Sequence, residues 1–530
     1  MGDTNWYHDV MDTIKHVYEN SIEEQGIFTA TMRLLSTYAD AYRPDVDMEW
    51  LHGYIPFHAC VNDNGYTMES LSELYEHGLS IHDKKAKKEM GKYYTPSDVS
   101  DIMANNILPH IDNRRIVDPC CGSGNLIIAL TAMVEKPWYL ITHGIMLYDI
   151  DPLAIFITKT ILSIQHAPHG EHVANNDISS HNGDFLDDSV TISTNDVIIM
   201  NPPYGKVAGY HQYRTSHMHE IYALFMEKAC RSHAFVSITP QSFISGEKFA
   251  DLRNILIQKR KTDIIAYDNV PGHIFNGRKH GIFNSNTSNS VRAAITVSTH
   301  DTISAIRSTP VIRWKNGERE RALSIYPSIM NNIPYQHDAS KPIAKCPSTM
   351  QWIINDNNSD DIGSITTTDD NARYHLYIPT TPRYYTSAST HELRRSSMIT
   401  LGLDDKESAA KVYIILNSSY AYAWWRIFDA GITLTKGLLL SIPIPKSLSG
   451  EKAIQQFDKL RCQEMKYLTV KINAGKTNEN IKWEPAIIHE NNRILFHDMD
   501  KKSMQALETF HSSSIIDEEL YWVHKDKDSL

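Results

Sequence analysis

Between Arg115 and Ser298 short apolar runs alternate with segments whose apolar residues recur every three or four positions, and that alternation leaves few folds open. A short aliphatic run without polar alternation reads as a strand buried on both faces. The runs Arg115–Asp118, Ile145–Ile150, Val197–Met200, Ala234–Thr239, Ile264–Tyr267 and Ala293–Ser298 predict strands of this kind. Between them Leu126–Met133, Pro152–Gln165, Ile221–Arg231 and Lys248–Gln258 carry a helical period. Strands that alternate with helices build a parallel sheet with helices over both faces, so the fold class expected is α/β.

At 530 residues the chain has room for two or three domains, and 42% hydrophobic with 22% charged residues is the balance of a folded protein. Before residue 90 the spacing predicts helices at Trp6–Tyr18, Phe28–Tyr42 and Leu71–Leu79, an accessory helical domain spanning 1–90. The alternating region spans 91–300. Beyond it, 301–530 mixes a turn-rich stretch, an aromatic and basic segment from Tyr374 to Tyr385, and a helix expected over Lys411–Phe428. Six cysteines without a Cys-x-x-Cys pair support neither a disulfide scaffold nor a metal site, and point to a reducing, cytoplasmic setting. No apolar run approaches the length of a membrane span, and the N-terminus lacks the regions of a signal peptide, so no membrane partner is expected. A net charge of −11 argues against coating nucleic acid by bulk electrostatics, but leaves room for local clusters such as Arg278 with Lys279 and Arg394 with Arg395.

Chemistry concentrates where the expected strands end. Ile116–Leu130, IVDPCCGSGNLIIAL, runs a strand into an acidic tip at Asp118, a turn with Gly122 and Gly124, and a helix. Such a turn sets backbone amides and a helix N-terminus toward a ligand. The next strand ends in LYDIDP, where Asp149 can take both hydroxyls of a ribose and Asp151 caps the helix opening at Pro152. In HNGDFLD an acidic residue, Asp184, could accept from an adenine amine while the ring of Phe185 packs on the base. Then comes DVIIMNPPYGK. Proline removes a donor and fixes φ, so the strand must stop at Asn201. Asn201 offers an amide oxygen and Pro202 a carbonyl on one corner that Pro203 stiffens; two acceptors suit an NH₂ group, and Tyr204 would stack on the plane bearing it.

In this order, GKYYTP (Gly91–Pro96), DPCCGSG, YDIDP, GDF and NPPY resemble the motif series of the DNA amino-methyltransferases, in particular N6-adenine methyltransferases of the gamma order. The resemblance covers roughly Gly91 to Thr299. It implies a Rossmann-like S-adenosylmethionine-dependent methyltransferase sheet, with an N-terminal helical domain and a C-terminal α+β target-recognition domain. It implies S-adenosylmethionine as cofactor, with Tyr94, Thr95 and Pro96 near its methionine end, and Asp118, Pro119, Cys120, Gly122 and Gly124 beneath it. Asp149 and Ile150 would hold the nucleoside, and Asp184 and Phe185 would surround the adenine. Catalysis would fall to Asn201, Pro202, Pro203 and Tyr204. Cys120 and Cys121 stand where the family often has Phe or Ala.

The substrate implied is adenine flipped out of double-stranded DNA. Arg278, Lys279, Asn286, Arg383, Arg394 and Lys436 are the expected DNA contacts, and the long Gly272–Ser290 loop is a candidate binding loop. A specificity subunit, as in Type I modification enzymes, or a second copy of the chain is an expected partner. Methylation of a protein glutamine or of an exocyclic amine in ribosomal RNA uses the same corner and stays open as an alternative. A non-catalytic DNA-binding module would keep the fold without needing an intact corner.

Overall fold

The computed structural model describes residues 24–54 and 95–512, apart from 270–271, 276–290, 315–316, 356–359, 369–370, 383 and 474. The helices expected at Trp6–Tyr18 and Leu71–Leu79, and the site residues Tyr94, Arg278, Lys279, Asn286 and Arg383, lie outside the described residues.

Helix α1 (Glu24–Tyr42) precedes α2 (Ser97–Ile107), and the sheet then opens with β1 (Arg115–Asp118). Helix α3 (Asn125–Thr131), β2 (Ile145–Asp149), α4 (Pro152–His166), β3 (Ser180–Asn182) and β4 (Asp196–Met200) follow. Next come α5 (Ile221–Ala229), β5 (Ala234–Pro240), α6 (Ala250–Ile257), β6 (Arg260–Ala266), β7 (Ala293–His300) and β8 (Ala305–Ser308). These strands form one eight-stranded sheet in the order β3-β2-β1-β4-β5-β7-β6-β8. The fold is a Rossmann-like α/β sheet flanked by helices.

The sheet is mixed rather than wholly parallel. β7 runs antiparallel to both β5 and β6, while the other neighbouring pairs are parallel. Each parallel step needs a crossover, usually helical; β6 and β7 pair directly, so the chain reverses between them. The short strands β3 and β8 escape sequence reading because edge strands this short carry no long apolar run. β8 also takes the sheet past residue 300.

Every residue of β4 is buried, and its side chains alternate between two cores. Val197 and Ile199 join Ile116, Leu147, Val236 and Ile238 beneath α2, α3 and α4; Ile198 and Met200 join Val117 and Phe235 beneath α5 and α6. A strand clad on both sides gains from apolar residues at successive positions, which explains the unbroken run in the sequence. Helix α1 packs on α4, where Arg43 donates to the carbonyls of Ile164 (2.6 Å) and Ala167 (2.5 Å) and Trp50 to Thr160 Oγ1 (3.1 Å).

Beyond β8 come α7 (Arg319–Ser324), β9 (Tyr374–Pro379), β10 (Met398–Leu403), α8 (Lys406–Leu416) and α9 (Ser419–Phe428). The single helix expected over Lys411–Phe428 is two. Ser418 leaves helical geometry and caps α9 through Tyr420 N–H, while buried Asn417 exchanges side-chain bonds with Ala388 and accepts from Trp483 Nε1. Trp425 is core, 0% exposed, with Arg292 and Arg426 over its ring.

One buried ionic knot joins this region to the sheet. Asp268, just beyond β6, pairs with Arg292 (3.1 Å), Arg313 (2.6 Å) and Arg426 (2.9 Å), and Asp429 pairs with Arg292, Arg426 and Lys345. Among the described residues, no helix is long and apolar enough to cross a membrane.

Candidate active site

β1 lies between β2 and β4, and the chain leaves it toward β2 before returning on the far side to β4. At such a switch point the connections diverge and the carboxyl ends of the strands open a crevice. The glycine turn after β1 and the Asn-Pro-Pro-Tyr corner after β4 therefore border one space.

Backbone bonds to the protein's own acceptors shape the turn. Cys120 N–H donates to Asp118 Oδ1 (3.2 Å), Cys121 N–H to the Tyr148 carbonyl (2.9 Å), Gly122 N–H to Asp149 Oδ2 (2.9 Å) and Gly124 N–H to the Cys121 carbonyl (2.8 Å). This corrects the expectation that these amides point at a ligand, because the adjacent carboxylates and carbonyls take them first. The turn provides shape instead. Gly124 has φ 88°, and a Cβ there would stand 2.6 Å from Thr158 Cγ2, so conformation and space both demand glycine. Thr158 also donates to the Gly122 carbonyl (2.8 Å), binding the turn to α4. Asp118 and Pro119 are buried, while Cys120 and Gly122 face the crevice half-exposed.

At the tip of β2, Asp149 Oδ1 accepts Asp151 N–H (2.9 Å), and Asp151 caps α4 through Leu153 N–H (3.0 Å) as the sequence predicts. A carboxylate oxygen accepts two hydrogen bonds, so these backbone bonds are compatible with a hydroxyl donor on Asp149. Ile150 beside it is 65% exposed, an apolar side chain held in the open at the rim.

Beyond β3, Asp184 accepts Leu186 N–H on Oδ1 (2.9 Å) and the Tyr210 hydroxyl on Oδ2 (2.7 Å). Tyr210 sits at φ 54°, uncommon for a bulky residue, and burial followed by the Asp184 bond pushes its phenol up to about 12. Nothing in the sequence around Tyr210 signals this contact. Phe185 needs correction: it is 1% exposed, stacked on Phe225 at 5.4 Å, and lies under the Lys228 ammonium. Its ring is core and cannot pack on a base. Lys228, buried and lowered to about 8 by that burial, donates to the carbonyls of Phe185 (2.6 Å) and Asp187 (2.8 Å) and so fixes the turn that presents Asp184.

Across the crevice, Asn201 Nδ2 donates to Thr95 Oγ1 (2.9 Å). Thr95 and Pro96, both buried, lead into α2. The Tyr204 hydroxyl lies within hydrogen-bond reach of Asn201 Oδ1 (2.9 Å) and the Ile238 carbonyl (3.0 Å). The corner is thus held by Tyr204 rather than presented bare. It is not packed shut, since Asn201, Pro203, Tyr204 and Gly205 are half-exposed while Pro202 is buried.

Two further groups border the corner. The Phe275 ring stands 6.0 Å from that of Tyr204. Arg319, on α7, forks onto Asp98 in the first turn of α2 (2.5 and 2.9 Å) and donates to the carbonyls of His273 (2.9 Å) and Ile274 (2.7 Å). One guanidinium thereby fastens the segment bearing Phe275 to the helix that follows Thr95. Phe275 lay in the loop that composition singles out; Arg319 and Asp98 carry no local signal. Arg394 is exposed, with its backbone N–H on Glu479 Oε2 (2.7 Å), and Lys436 is exposed at the start of the helix Lys436–Leu440.

S-adenosylmethionine carries hydroxyl and amine donors, a flat base and a positive sulfonium. The crevice supplies carboxylates at Asp149 and Asp184, an exposed apolar surface at Ile150, and a turn whose glycine leaves room beside it, so the residues present fit that cofactor.

Residues 67–243 match the family model described as N-6 DNA Methylase. The Type II methyltransferase M.VspI of Vibrio sp. (strain 343) is 32% identical over 150 residues, covering 28% of this chain and 33% of that protein. The Type II methyltransferase M.PstI of Providencia stuartii is 24% identical over 228 residues, covering 39% of this chain and 43% of that protein. The matches thus span less than half the length of these relatives. Among solved structures, a modification subunit of a putative type I restriction enzyme from Vibrio vulnificus YJ016 aligns with 52% of this chain and 62% of its own at 14% identity, TM-score 0.37. The glycine turn, the acidic strand tips and the Asn-Pro-Pro-Tyr corner all fall inside the matched segment, and through it the chain carries an N-6 DNA methylase region.

Proposed function

We propose that the protein is a sequence-specific DNA adenine-N6 methyltransferase acting on a base turned out of the duplex. The observation that carries this reading is the Asn201 amide, half-exposed at the end of β4 beside the glycine turn, with its Nδ2 committed to Thr95 so that Oδ1 is left as the acceptor.

An exocyclic amine has two hydrogens, and Asn201 Oδ1 with the Pro202 carbonyl offers two acceptors on one stiff corner. Accepting both draws the nitrogen lone pair out of conjugation and aims it along one line. Asn201 Oδ1 has a second lone pair for the amine beside the Tyr204 hydroxyl, and the Ile238 carbonyl gives that hydroxyl another acceptor within reach. Tyr204 and Phe275 then flank the plane of the base. S-adenosylmethionine, when bound, supplies a methyl group on an electron-poor sulfonium. Once methylated, the nitrogen is acidic, so its proton passes to the corner's oxygens and on to water without a strong base. In this reading Asp149 and Ile150 hold the nucleoside, Asp184 takes the adenine amine, and Thr95 and Pro96 border the methionine end. Recognition falls to residues beyond 300, and a specificity subunit or a second copy would add to it.

The test is to incubate the full chain with labelled S-adenosylmethionine and, separately, duplex DNA, RNA and protein, and digest the products. N6-methyladenine from DNA alone is expected. Label in RNA or protein instead sinks the assignment.

A further inference from the structure

A two-stranded ribbon, β11 (Leu468–Asn473) with β12 (Lys476–Ile481), stands apart from the main sheet. Its antiparallel register sets Thr469 opposite Asn480, Val470 opposite Glu479, Lys471 opposite Asn478 and Ile472 opposite Thr477. Opposed side chains share a face and successive ones alternate. One face therefore carries Lys471, Lys476, Asn478 and Asn480, and the other carries Val470 and Ile472. The root is anchored, with Ile481 fully buried. The outer part is not: Val470 is 56% and Ile472 73% exposed, and Lys471 and Lys476 are exposed beside them. An isolated two-stranded ribbon is marginal in water, and exposed apolar side chains on it call for a partner.

Charge says which partner. In a chain of net charge −11, the ribbon and its root expose Lys466, Lys471, Lys476, Lys482 and Arg394. Of the acids nearby, Glu464 is buried against Thr390 and Glu479 accepts Arg394 N–H, leaving Glu392 and Glu484 exposed. The surplus is positive.

Placement gives an independent argument. Arg395 ties the ribbon, through the Glu479 carbonyl (2.9 Å) and Asn480 Oδ1 (2.6 Å), to Thr381 Oγ1 (3.0 Å). Neighbouring Thr380 accepts Leu434 N–H (2.8 Å), Gly431 accepts from Arg292 (2.8 Å), and the Arg292 carbonyl accepts Gln241 N–H (2.9 Å) at the carboxyl end of β5. β5 is the neighbour of β4, so this chain of bonds leads from the ribbon to the end of the sheet where Asn201 stands.

We infer that this ribbon is the element that reads duplex DNA in the major groove, an assignment that rests on the DNA methyltransferase reading above. Paired strands lie about 4.8 Å apart, and with side chains such a ribbon fills a groove about 12 Å wide. Entering tip-first, it brings Lys471 and Lys476 to phosphates or guanine edges, Asn478 to an adenine edge, and Val470 and Ile472 to thymine methyl groups.

The experiment uses the full chain with wild-type, K471A/K476A, N478A and I472E proteins on unmethylated genomic DNA. Methylated positions are mapped by sequencing, and duplex affinity is measured against salt. K471A/K476A should flatten the dependence of log Kd on log salt by about one unit per lysine. N478A should relax or change the methylated sequence, with S-adenosylmethionine affinity unchanged in both. If both variants keep the wild-type salt slope and the wild-type methylated sequence, the ribbon assignment is overturned while the proposed function stands. If I472E turns a sedimenting dimer into a monomer with the methylated sequence unchanged, the ribbon is a contact between copies and the assignment is also overturned. A wild-type protein that leaves no N6-methyladenine in DNA overturns the functional reading itself.

Discussion

The two walls of the crevice are built differently. On the cofactor side, Asp118, Gly122, Asp149 and Asp184 each lie within a few residues of a strand's end, held by short turn bonds there and by one bond from Gly122 after β1 to Asp149 at the tip of β2. On the target side, Asn201, Phe275 and Arg319 come from three distant segments held by long-range contacts, and Asn201 is also bound to Thr95, which borders the methionine end of the cofactor in the proposed function. A wall made by strand register is as rigid as the sheet. A wall made by long-range contacts is as precise as those contacts, and a change far from the chemistry can move it by the fraction of an ångström that matters for transfer.

The sharpest break in this contrast is Asn201→Ala, which removes the acceptor on the target side together with the donor that Thr95 receives. Methyl transfer should fall roughly 10²–10³-fold, the loss typical of a group that stabilises developing charge. Cofactor affinity, measured by calorimetry, should stay at the wild-type value, and a loss of both would dissolve the division between walls. Asp268→Asn tests the knot that holds the C-terminal half to the target side. Removing one charge from a buried pair costs about 3–5 kcal/mol, read as a lower denaturation midpoint. Burial raises the Asp268 carboxyl, but Arg426, Arg292 and Arg313 more than reverse it and hold it far below the usual range. Its contribution is therefore present above the unfolded carboxylate value, about 3.9, and is lost only as pH falls further toward the depressed folded value. The difference in stability between wild type and Asp268→Asn should persist from pH 7 to pH 5.

Asp149→Asn addresses the other wall. Its amide cannot reproduce both acceptor bonds to Gly122 and Asp151, and losing a charge-assisted bond of about 1.5–3 kcal/mol should weaken S-adenosylmethionine binding tenfold or more. Turnover at saturating cofactor should change much less. Arg319→Lys replaces a fork with a point charge that cannot serve Asp98 and two carbonyls together. A turnover number down about tenfold, equivalent to about 1.4 kcal/mol, with cofactor Kd unchanged, would mark Arg319 as a positioning residue. Arg319→Met should do worse, and a uniform loss of stability without the kinetic split would argue for a merely structural part. Tyr210→Phe should have the smallest effect. The hydroxyl competes for Asp184, so its removal should tighten cofactor binding by a few-fold at most, in line with one neutral hydrogen bond of about 1 kcal/mol.

Much of the sheet was legible because its signals are local. The apolar run at Val197–Met200, the helix opening at Pro152 under an Asp151 cap, and the glycines at 122 and 124 each answer to nearby backbone requirements. Phe185 was misread for the same reason: an aromatic beside an acid carries no mark of which way it points, and packing on Phe225 decided it. Ser418 ended a helix that periodicity alone would have continued. β6 begins at Arg260 rather than Ile264 because that buried guanidinium finds Ser298 and the carbonyls of Cys230 and Ser232.

By itself, the sequence determined the kind of sheet, the strand ends where chemistry sits, and the amide at Asn201, since all follow from short-range constraints on φ, donors and burial. The tertiary structure decided that Tyr204 holds the Asn201 oxygen, that Tyr210 covers Asp184, and that Arg319 joins the two supports of the corner. Such contacts unite residues that no local rule relates, and they exist only once the sheet has brought distant segments within hydrogen-bond reach.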